Sequence, residues 1–246
     1  MVGRGRMGTA LAAALAEAGY RTAGPAGRDE VPSGEVLLLC VSDAEIRVAA
    51  AAIAGAARFI GHTSGATSLA VLEPAVRAGA EVFGLHPLQS LTGSRAGLRG
   101  AGCAVAGSSP AAEAVATAIA TALGMSPFVI DDEQRGAYHA AASIASNFLV
   151  TLEAAAERMA EAAGLGRGQS RALLAPLVRT TVDNWAVLGP EAALTGPVAR
   201  GDEATIALQR DAVADAAPEL IELFDVLLER TRALAAHDVV PAGSAA

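Results

Sequence analysis

The chain has 246 residues, 52% hydrophobic but only 3% aromatic, so it can form one large or two modest domains with alanine-rich cores. Its formal net charge of −8 argues against a general nucleic-acid or anionic-membrane surface, and no run of about 18 apolar residues predicts a membrane span. Cys40 and Cys103 lie in apolar segments, which predicts buried thiols and a reducing, cytoplasmic compartment.

The first predicted elements are a glycine loop and the helix that follows it. Gly3, Gly5 and Gly8 form a G-x-G-x-x-G motif, and residues 7–18 favour a helix that ends at Gly19. In a dinucleotide-binding fold these glycines allow a tight turn, close approach to the pyrophosphate, and close packing of helix on strand. A chance match is the alternative, because the chain has 26 glycines. The predicted cofactor-binding residues of this loop are Gly3, Arg4, Gly5, Arg6, Met7 and Gly8.

Only Met1 and Val2 precede this loop, although the strand that leads into it normally needs about five residues. We therefore expect the assigned start to lie a few codons too late. Adding the native upstream apolar residues is then expected to raise thermal stability.

A short second strand is predicted over residues 20–25, followed by a turn at 26–29. An arginine near the end of this strand favours the 2′-phosphate of NADP, whereas an acidic residue favours NAD. Arg28 fits the first case, so NADP is the predicted cofactor and NAD is possible. The alternative is a solvated loop arginine.

Strands and helices then alternate up to residue 130. The predicted strands are 35–41, 58–62, 81–85, 101–106 and 127–130, and the predicted helices are 44–54, 69–78 and 109–123. The continuous apolar run of residues 35–41 suits a parallel strand covered on both faces. This order predicts an α/β fold with a Rossmann-type, doubly wound parallel sheet.

After Asp131 the pattern becomes helical, with predicted helices at 135–163, 169–188, 203–216 and 218–236. We therefore expect an NAD(P)-binding Rossmann domain at residues 1–130. An all-α domain at 131–246 would bind substrate and form a dimer. A cleft between two such domains is a preferred ligand site.

Polar clusters follow three of the predicted strands, at residues 42–43, 62–64 and 86–87. Ligands of open α/β sheets bind at the carboxyl ends of the strands, so the clusters indicate one site. Val41, Ser42 and Ser64 are accordingly assigned to the cofactor. A helix cap is the alternative for the cluster at 42–43.

His86 is the strongest catalytic candidate, because an imidazole can donate to a substrate carbonyl or carboxylate, or exchange a proton near neutral pH. A histidine that bonds a loop backbone is the alternative. The long helix adds His139, Ser143 and Asn147 at i+4 spacings, which places them on one stripe. This stripe is expected to face a ligand, with close packing of small residues between helices as the alternative. Tyr138 lies off the stripe and is the weaker candidate.

Thr195 and Arg200 lie in a compact turn before the helix that Asp202 is predicted to cap. Arg200 could bind a substrate carboxylate through two parallel hydrogen bonds. Thr195, Arg200 and His86 are therefore the predicted substrate-binding residues.

The chain contains no lysine, because all 18 basic residues are arginine. Mechanisms that need a lysine acid, base or Schiff base are therefore excluded. The sequence contains no H-E-x-x-H or C-x-x-C motif, so it does not predict a metal site. It also contains no G-x-S-x-G motif, so it does not predict a serine hydrolase.

Several of these motifs together resemble one family: residues 3–8, 38–43, 61–66, 84–90 and 194–202. It comprises Rossmann-like proteins whose C-terminal half is catalogued as domain of unknown function 2520 (DUF2520). The family is similar to pyrroline-5-carboxylate reductase, prephenate dehydrogenase and the β-hydroxyacid dehydrogenases. The resemblance implies NADP binding, a homodimer built through the helical domain, and oxidation or reduction of a small substrate.

The resemblance also bears on single residues. Gly84-Leu85-His86-Pro87-Leu88 is similar to the Gly-x-His-Pro-Met stretch of prephenate dehydrogenases, in which the histidine lies near the substrate. Ser143 and Asn147 are similar to the Lys-x-x-x-Asn pair of β-hydroxyacid dehydrogenases, in which the lysine is the acid or base. Since serine replaces that lysine here, His86 or His139 would supply the proton, or an imine substrate would need none.

We therefore predict an NADP-dependent oxidoreductase that acts on a small carbonyl or imine substrate carrying a carboxylate. The predicted catalytic residues are His86, His139, Ser143 and Asn147. Two alternatives are a non-catalytic module that binds NADP(H) or a metabolite, and a deazaflavin-linked reductase of NADP.

Overall fold

A computed structural model describes residues 1–27, 30–92 and 97–237. The chain divides into two compact units, Met1–Asn147 and Phe148–Ala246. This division falls inside the helical region after the last strand, whereas the sequence predicts a functional boundary between residues 130 and 131. The assignment of functions to residues 1–130 and 131–246 stays a prediction.

The first unit is built on a five-stranded sheet whose strands occur in chain order. The strands are β1 (Val36–Leu39), β2 (Phe59–His62), β3 (Glu81–Pro87), β4 (Gly102–Gly107) and β5 (Ser126–Val129). β1, β2 and β3 are parallel to one another, and β5 is parallel to β4. The α/β, Rossmann-type class is confirmed.

The prediction of an entirely parallel sheet is wrong at β4, which pairs antiparallel with β3. A parallel return needs a crossover, usually a helix. Residues 88–92 and 97–101, which are the described residues between these strands, contain no helix. The antiparallel pairing continues just beyond β3, where the Leu88 N–H donates to the carbonyl of Gly102 at 2.8 Å.

Val2 extends the sheet beyond β1. It forms parallel bridges with Leu39 on one side and Ala26 on the other, and Gly3 N–H donates to the Ala26 carbonyl at 2.9 Å. The strand predicted over residues 20–25 is absent from those described residues and is reduced to the bridge at Ala26. Pro25 has no N–H for a ladder, and Gly24 has a φ of 98°, so regular pairing cannot extend there.

Helices cover both faces of the sheet. In the first unit they are α1 (Arg6–Glu17), α2 (Ile46–Ala52), α3 (Glu73–Arg77), α4 (Pro110–Ala122) and α5 (Arg135–Ser143). Because side chains alternate along a strand, Leu38 packs in the core that includes Leu11 of α1, whereas Leu37 packs with Ile46 of α2. Two apolar cores therefore fix the carboxyl ends of β1, β2 and β3.

The described residues after β5 contain only helices, as predicted. A π-helical turn, Ile144–Phe148, follows α5 and interrupts the single helix predicted over 135–163. The remaining helices are α6 (Leu149–Ala162), α7 (Arg167–Leu188), α8 (Pro190–Ala193), α9 (Pro197–Arg200), α10 (Glu203–Ala216) and α11 (Ile221–His237). Among the described residues, no helix is both long enough and apolar enough to cross a membrane.

Candidate functional site

The glycine loop between Val2 and α1 is shaped by contacts that exclude side chains at its first and third glycines. Gly3 has a φ of 110°, and a Cβ there would collide with the carbonyl oxygen of Cys40. A Cβ at Gly8 would collide with the carbonyl oxygen of Gly3. A Cβ at Gly5, in contrast, would meet no atom within 4 Å. Gly3 and Gly8 thus hold α1 against the sheet, and the backbone at Gly5 is left open.

The N-terminus of α1 lies directly beside this open position. Gly5 is the N-cap, no side chain caps the helix, and its first turn contains no acidic residue. The first N–H groups of a helix lack partners within the helix, and the helix dipole places positive charge there. The loop therefore has the unpaired N–H groups and the positive helix end that a bound anion requires.

A groove of about 450 Å³ opens next to the loop. Gly3, Arg4 and Val41, all predicted to bind the cofactor, line it, and apolar side chains of α2 form much of its wall. This volume lies within the range of small-molecule sites.

Arg4 and Glu30 form an ion pair at this groove. Arg4 Nη2 donates to Glu30 Oε1 at 2.7 Å, and Arg4 Nε donates to the Pro25 carbonyl at 3.3 Å. The Gly27 N–H also donates to Glu30, and this bond together with Arg4 lowers the pKa of the Glu30 carboxyl. Sequence reasoning missed Glu30, although an acidic residue just after the second strand is a recognisable signal. Arg28 lies outside the described residues.

Two serines assigned to the cofactor make local hydrogen bonds. Ser42 is exposed at the end of β1, and its Oγ donates to Glu45 Oε2 at 3.1 Å rather than capping the following turn. Ser64 is buried; its Oγ donates to Thr67 Oγ1 at 2.8 Å and accepts from Thr67 N–H. Their cofactor roles, and those of Arg6 and Met7, stay predictions.

A second polar cluster lies where β3 ends, near the start of α5. His86 Nδ1 is 2.7 Å from the hydroxyl of Tyr138, and the two rings meet edge to face with centroids 5.5 Å apart. The His86 and His139 ring centroids are 5.9 Å apart. A Cβ at Gly65 would lie 2.7 Å from His86 Cε1 and 2.8 Å from His139 Nδ1, so only glycine leaves room for both rings.

Arg135, at the start of α5, is a buried cation in this cluster, with 2% of its surface exposed. Its Nε donates to Asp132 Oδ1 at 2.6 Å. Its Nη2 would lie 2.7 Å from a Cβ at Gly84, so the glycine in β3 makes space for the guanidinium. In the part of the chain that the structure describes, three buried side-chain atoms lack a hydrogen-bond partner: His62 Nε2, Arg135 Nη2 and His139 Nδ1.

Burial and the nearby guanidinium keep His62 and His86 uncharged near neutral pH. Burial lowers the pKa of His62 to about 4, and the positive charge of Arg135 acts in the same direction. Burial, then His139 and Arg135, lower the pKa of His86 to about 4. Burial also raises the pKa of Tyr138 to about 12. Near neutral pH, His86 and Tyr138 therefore form a neutral imidazole–phenol pair.

The other predicted site residues are distributed over both units. Ser143 ends α5 half-buried, while Asn147 lies in the π-helical turn, where i→i+5 winding alters the α-helical stripe assumed from sequence. In the second unit, Thr195 is exposed before α9, and Arg200 is exposed at the end of α9. Their catalytic and substrate roles stay predictions. Asp202 accepts the Thr205 N–H and caps α10, as expected.

Sequence reasoning missed Arg135 and did not bring Tyr138 together with His86. The stripe through His139 was taken as the functional face, and Tyr138 is about 100° away from it on an ideal helix. The structure shows that both faces meet polar groups, because His86 contacts Tyr138 and His139 at once. The signal available in the sequence was the adjacency of Arg135, Tyr138 and His139 within one helical turn.

Solved structures share this fold. A Bacteroides fragilis protein described as a candidate NADP oxidoreductase is 23% identical, with a TM-score of 0.80 over 94% of this chain and 96% of that one. A Plasmodium falciparum pyrroline carboxylate reductase with NADP bound is 13% identical, with a TM-score of 0.61 over 95% and 96% of the two chains. An Aspergillus terreus reductive aminase in complex with NADPH and ethyl-5-oxohexanoate is 18% identical, with a TM-score of 0.67 over 96% and 97%.

No protein of curated function matches the chain in sequence. A family model described as a domain of unknown function, DUF2520, matches residues 101–231, which is more than half of the 246 residues. This match confirms the resemblance stated from the motifs. The chain therefore belongs to the DUF2520 family.

Proposed function

We propose that the protein is an NADP-dependent oxidoreductase that acts on a small carbonyl or imine substrate carrying a carboxylate. The observation that carries the proposal is the glycine loop. Gly3 and Gly8 are required by packing, while Gly5 is open at the uncapped N-terminus of α1. This is the division of roles expected of the three glycines in a dinucleotide site.

The residues around the loop fit a nicotinamide dinucleotide. The N–H groups at Gly5 and the start of α1 would hold the pyrophosphate, and the groove beside Val41 would hold the adenosine. Arg4, which is paired with Glu30 at the groove, would supply positive charge for a 2′-phosphate by exchanging that carboxylate for the phosphate. The NADP and NADPH complexes of the Plasmodium and Aspergillus proteins support this assignment.

The cluster around His86 would lie beside the substrate. When bound, a reduced nicotinamide supplies a hydride; the protein then needs to position and polarise the substrate and exclude water. His86 and Tyr138 offer an uncharged imidazole and phenol at the end of β3, and the His139 ring lies beside them. The buried charge of Arg135 favours an anionic substrate, in agreement with the predicted carboxylate.

A matched pair of glycine substitutions tests the cofactor assignment. Gly5→Asp places a carboxylate where the pyrophosphate would bind, and Gly166→Asp makes the same change at the N-cap of α7. Neither Cβ would meet an atom within 4 Å, and aspartate is a favourable N-cap, so both variants should fold. Calorimetric titration should show that Gly5→Asp weakens NADPH binding by about 100-fold, while Gly166→Asp leaves it unchanged.

Titration of the unmodified protein with NADPH and NADH tests the preference for NADP. Tighter binding of NADH would contradict the roles of Arg4 and Arg28. NADPH binding without oxidation by 2-oxo acids or cyclic imines would favour a non-catalytic binding module. Equal affinity of both aspartate variants for NADPH would contradict the dinucleotide site itself.

We also propose a homodimer formed through the helical unit. α7 has 22 residues, of which only Ser170 is buried. Its large apolar side chains are open to solvent, with exposed fractions of 63% for Leu177, 56% for Trp185 and 82% for Val187. Clusters of exposed apolar residues of this kind mark interaction surfaces. The dimer implied by the family resemblance supplies the partner, a second copy of the chain.

A further inference from the structure

We propose that Tyr138 is the proton donor of the reaction, that His86 relays a proton to it, and that the group reduced is a carbonyl. This inference rests on the proposed NADP-dependent function. The sequence predicts His86 or His139 as the source of the proton, and this inference assigns that role to Tyr138, which lies beside the predicted stripe.

Three contacts fix the geometry of the His86–Tyr138 pair. The hydroxyl of Tyr138 lies 2.7 Å from His86 Nδ1. The Tyr138 ring packs edge to face on Phe128 of β5, with centroids 5.8 Å apart. Gly65 lies against His86 on another side. A phenol held at hydrogen-bond distance from an imidazole can be reprotonated as soon as it gives up its proton.

The other imidazoles of this cluster are less suited to donate. His62 is fully buried, and its Nδ1 accepts the Ser64 N–H at 3.2 Å. His139 has a buried Nδ1 without a partner in the described part of the chain. Tyr138 and His139 are both half-buried, and the Tyr138 hydroxyl lies 2.7 Å from His86 Nδ1, a group that can return its proton. With no lysine present, Tyr138 is the best-placed acid.

The surroundings of the pair favour its neutral form. Burial raises the pKa of Tyr138 to about 12, with the Cys103 thiol acting in the same direction and Arg135 opposing it. Burial, His139 and Arg135 lower the pKa of His86 to about 4, with Asp43 opposing them. The phenol therefore keeps its proton throughout the neutral range. In the proposed arrangement, His86 is the Nδ1–H tautomer and donates to the phenol oxygen, which leaves the hydroxyl proton free for the substrate.

In the direction of reduction, the reduced nicotinamide would supply a hydride to the carbonyl carbon, and the π electrons of the C=O bond would move to oxygen. That oxygen would take the proton of the Tyr138 hydroxyl. His86 would return a proton to Tyr138 from Nδ1 while its Nε2 takes one from solvent. Proton exchange with solvent would then restore the Nδ1–H tautomer of His86 before the next turnover. The net change consumes one NADPH and one proton and forms one alcohol.

The choice of a carbonyl follows from the acidity of the donor. An alkoxide formed from a carbonyl is more basic than a phenolate, so it can take the proton even though the pKa of Tyr138 is raised to about 12. An iminium ion already carries its proton and needs none from the protein. A Tyr138–His86 pair is thus useful for a carbonyl and dispensable for a preformed iminium.

Tyr138→Phe tests the inference, with Tyr20→Phe as a matched control. Tyr20 is the other tyrosine of the chain and is exposed after α1. NADPH oxidation would be followed with glyoxylate, pyruvate and 2-oxoglutarate as carbonyl probes and with 1-pyrroline as an imine probe. Tyr138→Phe should lower kcat for the carbonyl probes by about 100-fold or more, the contribution typical of a general acid. In Tyr138→Phe, the Kd for NADPH and both KM and kcat for 1-pyrroline should change by less than about threefold. Tyr20→Phe should match the unmodified protein in all of these constants.

A second measurement does not depend on a substitution. Because both pKa values lie far from neutrality, kcat of the unmodified protein for the carbonyl probe should be flat between about pH 6 and pH 9. A kcat that falls as pH rises through 6–7 would indicate an imidazolium donor and overturn the inference.

The outcomes separate this inference from the proposed function. If Tyr138→Phe reduces the carbonyl probes as fast as the unmodified protein does, the role of Tyr138 is overturned and the proposed function is not. The same holds if the unmodified protein reduces 1-pyrroline but none of the carbonyl probes. No NADPH oxidation by the unmodified protein with any probe overturns the proposed function and, with it, this inference. Selective loss of carbonyl reduction supports both.

Discussion

Arg135 is buried against β3, and its ion pair is with Asp132, three residues earlier, at 2.6 Å. Asp132 also accepts hydrogen bonds from Ser68 Oγ at 2.6 Å and from Leu69 N–H at 3.1 Å. One carboxylate therefore compensates the buried cation and joins the start of α5 to the turn before α3.

Asp132→Asn should destabilise the protein by about 2 kcal/mol. Removing one partner of a buried pair leaves an uncompensated charge, which costs roughly 3–5 kcal/mol when both partners are buried, and the partial exposure of Asp132 reduces that figure. Urea unfolding followed by circular dichroism measures the change. Asp131→Asn is the control, because Asp131 is exposed and makes no side-chain cap bond. Equal stability of the two variants would show that Asp132 does not compensate Arg135.

The buried histidines should make stability depend on pH. The pKa values of His62 and His86 are lowered to about 4 in the folded state, against about 6.5 when unfolded. The unfolded chain therefore binds more protons between these limits, so the free energy of unfolding should fall as pH decreases from 6.5 to 4. The slope should reach about 1.4 kcal/mol per pH unit for each proton. Denaturation at pH 5, 6 and 7 checks this, and His86→Asn should reduce the slope; an unchanged slope in that variant would assign the effect elsewhere.

Gly65→Ala should disturb the site while Gly136→Ala should not. A Cβ at Gly65 would lie within 3 Å of both His86 and His139, so the rings must move and the His86–Tyr138 bond must lengthen. Gly136 is inside α5, and a Cβ there would meet no atom within 4 Å. Gly136→Ala should therefore stabilise the protein by about 0.5–1 kcal/mol through helix propensity. Carbonyl-dependent NADPH oxidation should fall about tenfold or more in Gly65→Ala only, and equal rates in the two variants would show that Gly65 does not position the rings.

The parts of the fold that were predictable are those with a local cause. The apolar run of β1 and the Asp202 cap each produce their structure through neighbouring residues. The glycine loop was recognisable by its motif, although the residue that requires Gly3 is the distant Cys40. The antiparallel β4 was not predictable in this way, because its direction depends on a connection without a recognisable pattern. The π-helical turn after Ser143 has no local signal that we can identify.

The site was only partly predictable, because its contacts join residues that are distant in the sequence. His86 could be proposed because it follows a strand, and the ends of parallel strands meet at one edge of a sheet. The residues that contact His86 come from α5 and from Gly65. Sequence periodicity shows which residues share one face of a helix, but it does not show which residues elsewhere in the chain that face contacts. Arg135 was missed because a charged residue at a helix start is normally exposed, whereas the absence of a side chain at Gly84 lets this one lie against β3.

The exposed face of α7 should hold the proposed dimer together. Leu177→Asp puts a charge on the helix that also exposes Trp185, Val187 and Leu188, whose exposed fractions are 55–82%. Burying that charge in an interface costs several kcal/mol, so the variant should be largely monomeric at micromolar concentration. Val76→Asp is the control, because Val76 is also exposed but lies on α3 in the first unit. Light scattering coupled to size-exclusion chromatography should find a dimer for the unmodified protein and for Val76→Asp, and a monomer for Leu177→Asp. A monomeric unmodified protein would contradict the dimer, and a dimeric Leu177→Asp would place its interface on another surface.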